Sequence, residues 1–124
     1  MDTNRIDRLF EVIKLIAASY EDQIKVFPSF VIIPEELALL FDDVYKDIGQ
    51  IYKDKVVSID SLNLLIKIDK LFETMSKDPS KWNITSLKFD SDWNCIRNHA
   101  KTILEKQGID NEKIDIDFVK WIKI

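Results

Sequence analysis

The chain has 124 residues, of which 46% are hydrophobic and 32% charged, and its formal net charge is −4. This length suits one domain with a single core, and the hydrophobic fraction is too high for a disordered chain. One cysteine and one histidine exclude an internal disulfide framework and a zinc site built from histidine and cysteine pairs. No apolar run approaches the roughly 18 residues that cross a bilayer, and the N-terminus does not look like a signal peptide, so we expect a cytoplasmic protein with no membrane partner.

The first predicted element is an amphipathic helix from Thr3 to about Ser19. Its apolar side chains recur at spacings of three and four residues, and charged side chains lie off that stripe. The periodicity is lost over residues 20–33, where Pro28 and Pro34 favour extended backbone in the residue before each proline. We therefore predict that residues 20–33 form an ordered apolar loop laid over the core.

A second helix is predicted to begin at Pro34 and to run to about Ile48. Proline suits the first helical turn because its missing N–H needs no partner there. Residues 34–48 carry five carboxylates against one lysine, so the charge of this segment equals the net charge of the whole chain. Its negative charge repels phosphates, which argues against a nucleic-acid-binding surface here. The segment is either a binding surface for a basic protein or a helix face exposed to solvent. The predicted partner-binding residues are Glu35, Glu36, Asp42, Asp43 and Asp47.

The third predicted helix is the most apolar. Ser58 is its predicted N-cap, and the helix is expected to end near Ser76, ahead of the Asp78–Pro79 dipeptide. Apolar side chains cover much of its circumference, which is typical of a helix flanked on both sides. We therefore predict that this helix is the central one.

The remaining segments complete an all-α prediction. Residues 82–89 are a predicted connector with room for one helical turn, and Ser91 is the predicted N-cap of a helix that Gly108 ends. Residues 113–124 alternate like a strand but also suit a short helix, which we prefer because no other segment offers a partner strand. The predicted fold of residues 1–124 is thus a compact single-domain helical bundle of about four to six helices.

Few residues offer catalytic chemistry. Cys95 and His99 lie four residues apart on a predicted helix, and Asp92 lies on the same face. A cysteine and a histidine could form a nucleophile and its base, and the three residues together could bind a metal ion. No glycine-rich turn accompanies them to stabilise an oxyanion or hold a phosphate. Adjacent carboxylates on a helix diverge by about 100°, so the acidic pairs are poorly placed to share a proton or a metal ion. We therefore predict no catalytic residues, no metal site and no cofactor.

Three segments together carry a family-like pattern. Residues 27–45 read FPSFVIIPEELALLFDDVY, residues 62–76 read LNLLIKIDKLFETMS, and residues 81–104 read KWNITSLKFDSDWNCIRNHAKTIL. They resemble the small bacterial immunity proteins encoded beside contact-dependent growth-inhibition and related polymorphic toxins. The chain departs from that pattern at Ser29 and Leu40, where the family often has acidic residues.

The resemblance implies a protein that binds a cognate toxin domain and occludes its cleft without catalysis. Such toxins are often nucleases with basic clefts, so the expected partner is a basic protein domain, with no direct contact to nucleic acid. An alternative from another class is a helical adaptor for an endogenous protein, with no toxin involved. A third hypothesis is an enzyme that uses Cys95, His99 and Asp92.

Overall fold

A computed structural model describes residues 3–28 and 30–109 of the chain. Seven α-helices, one short 3-10 helix and no β-strand make up this described part, which confirms the all-α prediction. The count exceeds four to six because segments predicted as loops contain short helices. The α-helices are α1 Thr3–Ala17, α2 Tyr20–Val26, α3 Ile33–Tyr45, α4 Ile48–Lys53, α5 Ile59–Met75, α6 Ile84–Phe89 and α7 Ser91–Gln107, and the 3-10 helix is Pro79–Lys81. The helix predicted within residues 113–124 lies outside the described residues.

Local capping explains where the long C-terminal helices begin and end. Ser58 Oγ accepts a hydrogen bond from the backbone N–H of Ser61 at 3.1 Å, which confirms the predicted N-cap of α5. Gly108 ends α7 with a left-handed backbone (φ 68°), also as predicted. The predicted N-cap of α7 is wrong by one residue, because Asp90, rather than Ser91, caps the helix by accepting the N–H of Asp92 at 2.8 Å.

The loop predicted over residues 20–33 is wrong in its first half, where α2 forms. Ser19 Oγ caps this helix by accepting the N–H of Asp22 at 3.2 Å. The buried side chains of α2 are Gln23 and Val26, and the Gln23 amide donates to the carbonyls of Leu15 and Ile16 at the end of α1. Glutamine is polar, so a buried glutamine does not count toward an apolar repeat. The apolar pattern of the sequence therefore did not predict this helix.

The acidic helix is shorter than predicted. It ends at Tyr45, and the chain turns through Lys46 and Asp47 into α4, which contains Gly49. Pro34 lies in the first turn of α3, as predicted. The segment predicted as one helix to Ile48 is therefore divided between α3 and α4.

The central helix is α7, not α5 as predicted. α7 packs along both α1 and α5 and also against α6, whereas α5 packs mainly on α7 and only marginally on α3 and α4. Four apolar residues of α5, Leu62, Leu64, Ile66 and Leu71, are only half-buried, and Ile59 is 54% exposed. The wide distribution of apolar side chains around α5 therefore led to a prediction that this helix is more deeply buried than it is.

Aromatic rings fill the end of the core where α3, α5 and α7 meet. Phe72 lies 5.5 Å from Phe41 and 5.6 Å from Trp93, measured between ring centroids, and Trp82 lies 5.6 Å from Trp93. The indole N–H of Trp82 donates to the carbonyl of Met75 at 2.9 Å. These contacts hold the side chains of Phe72 and Trp82 in fixed positions between α3 and α5.

Candidate partner-binding groove

An open groove of about 650 Å³ lies between α3 and α5. Each helix contributes side chains at spacings of three and four residues, which therefore lie on one helical face. The groove is lined by Glu35, Ala38, Leu39 and Asp42 of α3, by Asp69, Phe72, Glu73 and Ser76 of α5, and by Trp82.

The middle of the groove is apolar. Phe72 and Trp82 belong to the aromatic cluster of the core, so this part of the lining is held in place from below. Leu39 stands on the α3 wall with 62% of its surface exposed to solvent. Leu39 lies beside the buried Phe72 and the partly buried Trp82. Covering this apolar surface with a partner would lower the free energy.

Four carboxylates surround this apolar middle, and they are Glu35, Asp42, Asp69 and Glu73. Among the residues that the structure describes, no lysine or arginine lines the groove. Within residues 3–28 and 30–109, none of the four carboxylates forms an ion pair. The groove therefore holds negative charge that the described part of the protein does not neutralise.

The electrostatic environment of Asp69 reflects this lack of neutralisation. Burial raises the pKa of the Asp69 carboxyl above its ordinary value, and the charges of Asp42 and Glu73 raise it further. Burial also raises the pKa of the nearby Tyr45 hydroxyl, with a contribution from the charge of Asp69. Like charges held close together in this way favour a cationic ligand.

The structure separates the five residues predicted to bind a partner. Glu35 and Asp42 line the groove, whereas Glu36 is half-buried and lies outside its lining. Asp43 accepts hydrogen bonds from Arg8 of α1 and from Lys46, the latter at 3.0 Å. The hydrogen bond from Lys46 and the charges of Arg8 and Lys46 lower the pKa of Asp43 despite its partial burial.

Asp47 is also engaged with α1, because its carboxylate lies 3.4 Å from Arg5 Nε. The acidic segment thus has two sides, one that faces α1 and one that faces the groove. Sequence reasoning missed Asp69 and Glu73, although two carboxylates four residues apart within an apolar helix are a visible signal of a polar face.

The residues considered for catalysis come together only in part. Cys95 Sγ lies 3.4 Å from His99 Nε2, so the predicted shared face is confirmed. Burial, and then the charge of Lys67, lower the pKa of His99 and favour its neutral form. Asp92 does not join them, because its carboxylate lies 3.3 Å from Lys81 Nζ. Among the described residues, no three histidine, cysteine, aspartate or glutamate side chains are grouped to hold a metal ion.

Two further observations bear on the choice of function. No helix in the described part of the chain is long and apolar enough to cross a membrane. Comparisons with protein-family models, with curated proteins and with solved structures found no match to this chain. The geometry and charge of the groove are therefore the features of this chain that bear most directly on its function.

Proposed function

We propose that this protein is an immunity protein that binds a cognate toxin domain and neutralises it by occluding its basic cleft. The observation that carries this proposal is the groove between α3 and α5, whose four carboxylates have no basic partner among the described residues. Charge of one sign around a concave surface accelerates and orients the approach of a partner of opposite charge. The resemblance of residues 27–45, 62–76 and 81–104 to bacterial immunity proteins supports the same role.

The energetics of the free protein also favour a binding role. Burial, and then the charges of Asp42 and Glu73, raise the pKa of the Asp69 carboxyl, so its charged form is disfavoured in the folded protein. Residues that cost stability in the free protein are more often kept for function than for structure. A basic partner would supply the positive charge that this site lacks.

Inhibition by this surface needs no catalytic group. A nuclease cleft is basic because it must bind phosphates, so an acidic protein that covers it blocks substrate and cancels its charge at once. A specific interface involves about 20–30 residues on each partner, whereas nine described residues line the groove. The groove is therefore the proposed centre of a larger contact, and the proposed site of action is the cytoplasm.

The direct test is to co-express the chain with the toxin domain encoded beside it, and to measure growth rescue and copurification. Rescue together with a stable complex is the expected result. A complex with a protein that does not affect growth would instead identify a helical adaptor. Failure to bind or to protect against that toxin would contradict the proposal.

Charge reversal then tests whether the groove is the binding surface. The variant Glu35→Lys with Asp42→Lys is compared with Asp7→Lys with Glu105→Lys, which makes the same change in net charge at exposed positions outside the groove. We expect the groove variant to associate at least about tenfold more slowly at low salt, and the control pair to change the rate much less. Stopped-flow association at two salt concentrations measures both effects. Equal rates for the two variants would place the interface elsewhere.

A further inference from the structure

The two walls of the groove have the same length, and each carries two carboxylates. On α3 the lining runs from Glu35 to Asp42, and on α5 it runs from Asp69 to Ser76, so each wall covers two helical turns, or about 10 Å. Leu39 lies between the two carboxylates of its wall. The α3 wall therefore presents an apolar centre with a carboxylate about one turn away in both directions, and the second wall adds Asp69, about one turn before Phe72, and Glu73 directly after it.

The volume limits what can enter. About 650 Å³ accommodates a few side chains rather than a folded domain, so the occupant must present those side chains from a narrow element. A helix does so, because residues four apart project from one face at intervals of about 6 Å. Lysine and arginine also suit the walls, since their aliphatic stems cover apolar surface while their charged ends reach the carboxylates.

We propose that the groove binds a basic amphipathic helix of the partner, which places one apolar side chain against Leu39 and Phe72 and directs a lysine or arginine, one turn to either side, at the carboxylates. This is the helix-in-groove mode of recognition. The identity of the partner as a toxin domain rests on the proposed function. The recognition chemistry follows from the lining of the groove alone.

The probe is an end-blocked, alanine-rich peptide of about 15 residues with one leucine and a lysine four residues before and after it. A second peptide has the same composition, but its lysines lie two residues from the leucine and so face the other way. Calorimetric titration of the full chain should give at least about tenfold tighter binding for the first peptide. Equal affinity of the two peptides would overturn the proposal, because the surface would then attract any polycation.

Matched variants locate the bound peptide. Leu39→Ala is compared with Ile59→Ala, since both side chains are more than half exposed and only Leu39 lines the groove. We expect Leu39→Ala to weaken binding of the first peptide by about tenfold, and Ile59→Ala to leave its affinity unchanged. An unchanged affinity in Leu39→Ala would overturn the proposal.

Neutralising substitutions test the charges. Asp42→Asn with Glu73→Gln removes two groove carboxylates without a change of shape, and Asp7→Asn with Glu105→Gln is the control. The groove variant should bind the first peptide about tenfold more weakly at low salt, and the difference should shrink as salt rises. Equal losses in the two variants would show an effect of net charge alone and overturn the proposal.

The results separate this inference from the proposed function. If growth rescue persists in the triple variant Leu39→Ala, Asp42→Asn and Glu73→Gln, the immunity function is supported, and binding of a partner helix in the groove is contradicted. If the chain binds the peptide in the groove but does not protect cells, helix binding by the groove is supported, and the immunity function is contradicted.

Discussion

Neighbouring carboxylates of α3 have opposite roles, as Asp42 and Asp43 show. Asp43 faces α1 and is paired with Arg8, whereas Asp42 faces the groove and forms no ion pair with a described residue. Successive residues of a helix project about 100° apart, so one residue of displacement decides which neighbour each carboxylate meets. A substitution that changes both residues together would mix the α1 contact with the groove.

Asp69 is a groove carboxylate whose charge is unfavourable to folding. Burial, and then Asp42 and Glu73, raise its pKa in the folded protein above its value in the unfolded chain. The folded state therefore holds this proton more tightly than the unfolded state does. The resulting destabilisation is absent below the ordinary carboxyl pKa, and it grows as the pH rises through the raised pKa of the folded state.

We therefore expect Asp69→Asn to raise the melting temperature at neutral pH. The gain should disappear at about pH 3, where the carboxyl of the unmodified protein is protonated in both states. Melting curves between acidic and neutral pH measure this trend, with Asp7→Asn as an exposed control. A melting temperature that falls at neutral pH would show that the Asp69 charge has a stabilising partner.

At the scale of the element, α5 shows how a helix can be apolar on most sides and still bury one face. Leu65 is completely buried, whereas the adjacent Ile66 is half-buried. If α5 were flanked on both sides, as its composition predicts, the two side chains would be of similar importance. Because α5 packs mainly on α7, only the face that contains Leu65 and Ile68 is covered completely.

Truncating these two neighbours should therefore have unequal effects. We expect Leu65→Ala to lower the free energy of unfolding by about 2–5 kcal/mol, because it opens a cavity in the core. Ile66→Ala should cost about half of that or less, since its side chain is partly hydrated already and alanine favours the helix. Urea denaturation of both variants measures the difference. Equal losses would mean that α5 is covered on both sides after all.

At the scale of the whole molecule, Arg97 of α7 connects several elements through one buried guanidinium. It is 8% exposed, and it donates to the carbonyl of Ala18 at 3.0 Å and to the carbonyl of Leu87 at 3.1 Å. It also donates to Gln23 Oε1 at 3.1 Å. Burial lowers the pKa of Arg97, and the carboxylate of Glu21 opposes that shift. One side chain thus joins the α1–α2 connection, α2 and α6 to the central helix.

We expect Arg97→Ala to destabilise the protein by about 3–5 kcal/mol, because it leaves several buried acceptors without a donor. Arg97→Lys should recover only part of this loss, since one ammonium group cannot reach acceptors on three elements. Lys101→Ala on the exposed side of α7 is the control, and urea denaturation is the measurement. A loss in Arg97→Ala below about 1 kcal/mol would show that water replaces the guanidinium readily.

The sequence by itself determined the features that depend on neighbours within a few residues. Apolar periodicity located α1, α5 and α7, and the local caps Ser58 and Gly108 marked two of their ends. The contact between Cys95 and His99 was predictable for the same reason, because one helical turn separates them. Half of the groove carboxylates, Glu35 and Asp42, were also among the predicted residues.

Only the tertiary structure decided what depends on residues far apart in the chain. The pairing of Asp43 with Arg8 joins residues 35 positions apart, so no local pattern reveals that this carboxylate is already engaged by a basic side chain. The groove exists only because α3 and α5 flank the same space, which brings Asp69 and Glu73 opposite the acidic side of α3. Helix formation is governed by local spacing and capping, whereas the arrangement of charges on the folded surface is governed by how the helices pack.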